Sequence, residues 1–182
     1  MEPGEYSGEH TESLKQLGYR LTEHLHSDSH FDVYRGVRID DATAVVIKAT
    51  SPNAGRQANA RLKREYDLTR SLDDDGIICA QALEGTAQVH VLIFPDKLGI
   101  SLSRYLDGRS LTFDSFFEIA IQLAEILGRI HARDVVHKDI KPANILLFRR
   151  VGEPGAVRLG DFGLARTADR SGDTRECRLR VA

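Results

Sequence analysis

Between Phe113 and Arg133 the chain reads FDSFFEIAIQLAEILGRIHAR, and this stretch limits the possible folds more than any other. Phe116, Phe117, Ile119, Ile121, Leu123, Ile126, Leu127 and Ile130 recur at helical spacing and leave little of the circumference polar. A helix of that kind needs protein on most of its faces. The rest of the chain must therefore supply elements that wrap it. With 182 residues there is enough chain for one domain with a sizeable core.

What precedes this helix has a different period. Residues 1 to 17 read as a loose polar lead-in. From Tyr19 come short β-like runs, YRLTEHL, FDVYRGVRI and TAVVIKAT, the last two separated by a turn at Asp40-Asp41. SPNAGRQ reads as loop, and Ala58 to Leu72 as a helix with Leu62, Tyr66 and Thr69 along one side. Two more strands are expected around IICAQALEG and QVHVLIF, giving a five-stranded antiparallel sheet that carries one helix. Pro95 to Leu98 is a short connector and SLSRYLDG a short helix. After the long helix, NILLF and AVRLGDF read as two short strands joined by RRVGEPG. The fold class is α+β.

Composition narrows the function classes. The charged share is 29% and the formal net charge is −2, which gives no bulk electrostatic pull towards nucleic acid or anionic lipid. No apolar run approaches the roughly 18 residues of a membrane span, and the N-terminus lacks the apolar core of a signal peptide. Cys79 and Cys177 are too few for a disulfide framework or a zinc site, so a reduced, cytoplasmic setting is expected. Arg170, Arg175, Arg178 and Arg180, with Arg166 just before them, make an Arg-rich end over 167–182, read as a disordered tail.

Four separated signals then occur in order: VVIK ending at Lys48, Glu65 in the first helix, HKDIKPAN from His137 to Asn144, and DFG from Asp161 to Gly163. Each alone is ordinary. A strand Lys is usually a snorkelling edge residue, and a Glu among Arg and Lys on a helix is usually a surface pair. Together, six fixed positions (Asp139, Lys141, Asn144 and DFG) match by composition with odds of about 10⁻⁸ per placement.

The set resembles the eukaryotic-type Ser/Thr protein kinase family. VYRG, VVIK, KREYDLTRSL, HKDIKPANIL and DFGLA look closest to the kinase-like domain at the front of large hybrid sensor histidine kinases. The resemblance implies a two-lobe fold: an N-lobe over 18–94, a hinge at 95–98 and a partial C-lobe over 99–166. It implies Mg²⁺ and ATP as cofactors and a protein substrate or signalling partner. Lys48 would hold the α- and β-phosphates and Glu65 would fix Lys48. Asp139 would orient the substrate hydroxyl, Lys141 would reach the γ-phosphate, and Asn144 and Asp161 would hold magnesium. His137 would pack on Phe162. Adenine would lie against the hinge, Asp96 and Leu98 included, with Phe94 guarding the pocket behind it. Lys141 and the DFG point away from small-molecule kinases of the aminoglycoside or choline type.

Three departures stand out. HSDSHFDV occupies the place of the glycine-rich loop, and its His24, His26 and His30 surroundings read as solvated loop rather than a metal site. Lys138 replaces the Arg that pairs with a phosphorylated activation segment. The family's later helices are not found after Gly163, so the reading is of a C-terminally truncated domain with its long helix partly bare. The rival reading is a catalytically inactive kinase-like module acting by nucleotide or protein binding.

Overall fold

The computed structural model describes residues 8–51, 54–148 and 155–168. Strands β1 (Tyr19–Ser27), β2 (Phe31–Arg38), β3 (Ala44–Thr50), β4 (Ala82–Gly85) and β5 (His90–Pro95) form one antiparallel sheet in the order β1-β2-β3-β5-β4. The β2–β3 turn is closed by Arg38 N–H on the Thr43 carbonyl (2.9 Å), and Asp41 accepts from Thr43 N–H (2.9 Å).

Alternation along β3 and β5 decides which side chains face which layer. Val45, Ile47 and Ala49, with Val91 and Ile93, pack on one face of the sheet with Tyr19, Tyr34 and Leu14. Leu92 and Phe94 pack on the other face, with Phe31 and the helix residues Ala58 and Leu62. Lys48 lies on this second face by the same two-residue period.

The lead-in expected for residues 1–17 is corrected here. A helix, α1 (Gly8–Gln16), runs before β1, and its Leu14 is fully buried on the first face of the sheet. The physical reason lies in β3 and β5 themselves. AVV and VLIF are apolar on both faces, so both faces need cover.

Helix α2 (Gly55–Leu72) covers the second face. It begins before the expected Ala58 and buries Ala58, Leu62, Glu65, Thr69 and Leu72, a single stripe at helical spacing. After the connector come β6 (Ile100–Ser101), α3 (Leu102–Tyr105) and the long α4 (Phe113–His131). Thr112 caps α4, its Oγ1 accepting from Ser115 N–H at 3.2 Å. Then follow β7 (Val135–Val136), a 3₁₀ turn (Pro142–Asn144), β8 (Ile145–Phe148), β9 (Ala156–Leu159) and β10 (Arg166–Thr167). β6, β8 and β9 form a small sheet, and β10 pairs with β7.

The lower core gathers Ile126 and Ile130 of α4 with Leu72, Ile77, Ile145, Leu159 and Phe162. Arg129 fastens α4 to the loop after α2, with Nε and Nη2 donating to the two oxygens of Asp74 at 2.8 and 3.0 Å. Gly76 is required there, since a Cβ would come within 2.5 Å of both Arg129 and Ile126. The opposite side of α4 is open among the described residues: Phe113, Phe116, Phe117 and Ile121 are exposed. The tail expected over 167–182 is corrected at its start, since Thr167 pairs with Val135 and Ala168 N–H donates to the Asp134 carbonyl; residues 169–182, Cys177 included, lie outside the described residues.

Candidate active site

The five-stranded sheet and the lower core meet around Lys48. Its Nζ donates to Glu65 Oε2 at 2.8 Å and to Asp161 Oδ1 at 2.7 Å. Glu65 reaches it because it sits in the buried stripe of α2, between Leu62 and Thr69. The other Glu65 oxygen, Oε1, accepts from Phe162 N–H at 3.2 Å. Strand β3, helix α2 and the DFG segment thus share one ion cluster. Burial by itself would lower the pKa of Lys48, but the two carboxylates outweigh it and hold the ammonium well above its usual range. Burial pushes the Glu65 carboxyl up against the pull of Lys48. Asp161 is held below the usual carboxylate range: its burial works the other way, and Lys48 outweighs it.

The catalytic-loop candidates form a second cluster, near enough for the Lys141 charge to act on Asp161. Lys141 Nζ lies 2.8 Å from Asp139 Oδ2, and that hydrogen bond is the main reason its pKa is raised. Asn144 Nδ2 donates to both the Asp139 carbonyl (2.9 Å) and its Oδ2 (3.0 Å). The Asn144 carbonyl accepts from Gly160 N–H at 2.9 Å, which ties the loop to the residue before DFG.

His137 is the buried post beneath both segments. Its Nε2 is 3.0 Å from the Gly160 carbonyl and its Nδ1 is 3.3 Å from Asp139 N–H. A carbonyl can only accept and an N–H can only donate, so the ring carries its proton on Nε2 and is neutral. Burial lowers its pKa accordingly. The ring stands edge-on to Phe162, with centroids 4.6 Å apart. Lys138 and Asp161 both hold left-handed backbone, at φ 67° and 61°. Non-glycine residues adopt that region at a cost, and they concentrate at working sites.

The donor set fits a hard divalent cation. Asp161 Oδ2 and Asn144 Oδ1 are oxygens without a partner among the described residues, and oxygen is what magnesium takes. Among the described residues no cluster of three or more His, Cys, Asp or Glu could hold a metal, and the loop histidines make none.

The hinge residues divide. Phe94 is buried on the α2 face of the sheet beside Phe31 and Leu92. Asp96 does not turn its carboxylate to the cleft: Oδ2 accepts from Arg35 Nε at 2.9 Å and Oδ1 from Leu98 N–H at 2.8 Å. The Leu98 side chain is 76% exposed, so the structure brings neither side chain to the ion cluster. Arg35 also donates to Glu23 Oε2 (2.8 Å) and to the Gly99 carbonyl (3.2 Å), and Arg104 of α3 donates to the other Glu23 oxygen (3.3 Å). Sequence reasoning missed this chain of charges. Each member is an ordinary surface residue by composition, and only strand pairing brings them together.

Residues 19–179 match the protein kinase domain. The chain belongs to the protein kinase family. Casein kinase I homolog 2 of Saccharomyces cerevisiae is 29% identical over 169 residues, covering 88% of this chain and 30% of that protein. Serine/threonine-protein kinase PknJ of Mycobacterium tuberculosis is 30% identical over 168 residues, covering 86% and 27%. The tyrosine-protein kinase transmembrane receptor Ror of Drosophila melanogaster is 28% identical over 153 residues, covering 79% and 22%. The chain thus spans less than a third of the length of these relatives. The α+β fold and the five-stranded antiparallel sheet of the kinase N-lobe are as expected, with α1 added to the one sheet-covering helix foreseen. No described helix is long and apolar enough to cross a membrane.

Proposed function

We propose that this kinase domain binds Mg·ATP in the cleft and transfers the γ-phosphoryl group to a serine or threonine of a protein substrate. The observation that carries the reading is Lys48 held between Glu65 and Asp161, with the Asp139–Lys141–Asn144 cluster beside it. A buried ammonium clamped by two carboxylates has excess negative charge around it, which suits a cation-bridged polyphosphate. The magnesium nucleotide supplies the phosphoryl group and charge neutralisation. Asn144 and Asp161 hold the metal, and Lys48, fixed by Glu65, meets the phosphates.

Asp139 accepts a hydrogen bond from the incoming hydroxyl and aims it in line. Lys141, two residues on, exchanges its hold on Asp139 for the γ-phosphate as charge moves there. Its presence favours Ser/Thr over Tyr as the acceptor. Adenine lies against Pro95–Leu98 with Phe94 behind it. Because Asp96 and Leu98 are engaged with Arg35 and each other, their part in this is to shape the hinge.

The inactive-module reading is the weaker one, since every polar side chain the transfer needs is present and mutually placed. We place the protein in the cytoplasm. The further resemblance to the kinase-like domain of large hybrid sensor histidine kinases rests on VYRG, VVIK, KREYDLTRSL, HKDIKPANIL and DFGLA, with the glycine-free turn beside them.

Two measurements test the reading. A thermal melt with and without Mg·ATP reports binding through linkage to the native state. Transfer of labelled γ-phosphate to a basic protein substrate, followed by phosphoamino-acid analysis, reports the reaction. Phosphoserine or phosphothreonine that disappears in Asp139→Asn is the expected result. A melt indifferent to Mg·ATP, or label unaffected by Asp139→Asn, sinks it.

A further inference from the structure

We propose that Asp28 is an internal anion in the roof of the cleft. Its carboxylate fills the amide nest that the β1–β2 turn would otherwise offer to a nucleotide phosphate, and so weakens this chain's selection of nucleotides by phosphate number. The inference rests on the nucleotide reading above.

The turn from Ser27 to Asp32 is bonded mostly among its own residues, with Ser51 as a partner from outside it. Asp28 Oδ1 accepts from the backbone N–H of His30 at 2.7 Å and of Phe31 at 2.9 Å. Asp28 N–H closes the turn on the Phe31 carbonyl at 2.9 Å. Ser27 Oγ donates to Asp32 Oδ1, and Ser51 Oγ donates to Asp32 Oδ2 at 2.9 Å. Two backbone amides converging on one anionic oxygen is the arrangement by which a nest binds phosphate. Here a side chain of the turn itself supplies that oxygen.

The turn also lies over the ion cluster. The Phe31 ring sits 4.8 Å from Lys48 Nζ, in cation–π contact, and is buried against Ala58 and Leu62 of α2. The charge of Asp28 is among those that raise the Lys141 ammonium, so it acts across the cleft on the catalytic-loop side. A phosphate arriving between Lys48 and Lys141 meets a carboxylate overhead and no free amide from His30 or Phe31. It is held from the floor alone. Nucleoside monophosphate, which reaches least far under the turn, is affected least.

The test is calorimetric titration of the 182-residue chain with AMP, ADP and ATP in the presence of Mg²⁺, comparing wild type with Asp28→Asn and Asp28→Gly. Asp28→Asn removes the charge and keeps an acceptor for the two amides. Asp28→Gly removes both, and where it fails to melt cooperatively, Asp28→Asn carries the comparison. The expected result is tighter Mg·ADP and Mg·ATP, by about tenfold in Asp28→Gly and less in Asp28→Asn, with AMP unchanged. Equal gains for AMP and ADP would mean a generally loosened cleft and overturn the proposal. So would a wild type that binds Mg·ADP and variants that bind it no better, in which case the nucleotide reading survives and Asp28 is only a turn former. No binding of any nucleotide by any of the three proteins rejects both.

Discussion

The floor and the roof of the cleft are held in opposite ways. On the floor, partners come from far apart in the chain: Lys48 meets Glu65 across 17 residues and Asp161 across 113, and Phe162 meets Glu65 across 97. In the roof, Asp28 is bonded to residues two and three positions away. The floor forms only when strand β3, helix α2 and the DFG segment have all docked. The Asp28 bonds in the roof are local to the turn, although Phe31 and Asp32 also reach α2 and Ser51. Changes to the floor should therefore register as lost stability, and changes to the roof chiefly as altered ligand selection.

Glu65→Ala puts the greatest strain on this contrast. It leaves a buried ammonium with one carboxylate in place of two and strips Phe162 N–H of its acceptor. Breaking one side of a buried pair costs about 3–5 kcal/mol, and urea unfolding should show a loss of that order. Glu65→Gln, which keeps an acceptor oxygen, should recover part of it. A Glu65→Ala variant as stable as wild type would remove the basis for the comparison.

His137→Phe is next. Phenylalanine keeps an aromatic edge against Phe162 but leaves the Gly160 carbonyl and Asp139 N–H without their partner. An unsatisfied buried polar group costs about 1–3 kcal/mol, so a fall in Tm with the far-UV signal retained is expected. A neutral outcome would mean that the histidine is a packing residue whose hydrogen bonds contribute nothing. In the roof, Asp28→Asn should change the unfolding free energy by no more than about 0.5 kcal/mol, as surface substitutions usually do. A loss as large as that of His137→Phe would show that the turn is a structural element of the fold.

How much of this was legible in the sequence divides along the same line. The five strands and two long helices follow from local pattern: β3 and β5 are short apolar, β-branched runs bounded by turn residues, and the i, i+3, i+4 spacing in α2 and α4 persists over whole elements. The ion cluster was legible only through spaced motifs, since no local pattern tells Lys48 to find a carboxylate 113 residues away. One local clue did exist. Glu65 falls on the apolar stripe of α2, between Leu62 and Thr69, where a carboxylate needs a partner.

Helix α1 was missed because ESLKQL is mostly polar and offers only Leu14 and Leu17 to the sheet. The clue to it lay in the two-sided apolarity of β3 and β5, which demands a second cover. The Arg35–Asp96 contact was not legible at all. Its members are separated by 61 residues and are joined only through the order of the strands.

A further small effect separates two explanations of the floor's strength, sequence range and burial. Asp74 and Arg129 are 55 residues apart, so they are long-range partners like Lys48 and Glu65, but the Arg129 side chain is 48% exposed. If burial decides, this pair should contribute only about 0.5–1 kcal/mol. Its pH dependence identifies it. The hydrogen bond from Arg129 lowers the Asp74 pKa, against burial and with help from Gly76 N–H. A carboxyl whose folded pKa is depressed adds stability above its unfolded pKa, about 3.9, and loses it as the pH falls through the folded value. Melts of wild type and Asp74→Asn between pH 7 and pH 3 should therefore show a small constant gap down to about pH 4, closing below it. A gap as large as that produced by Glu65→Ala would make range, and not burial, the source of the floor's strength. A gap that does not begin to narrow anywhere below pH 4 would place the contribution in packing around Gly76 and not in the charge of Asp74.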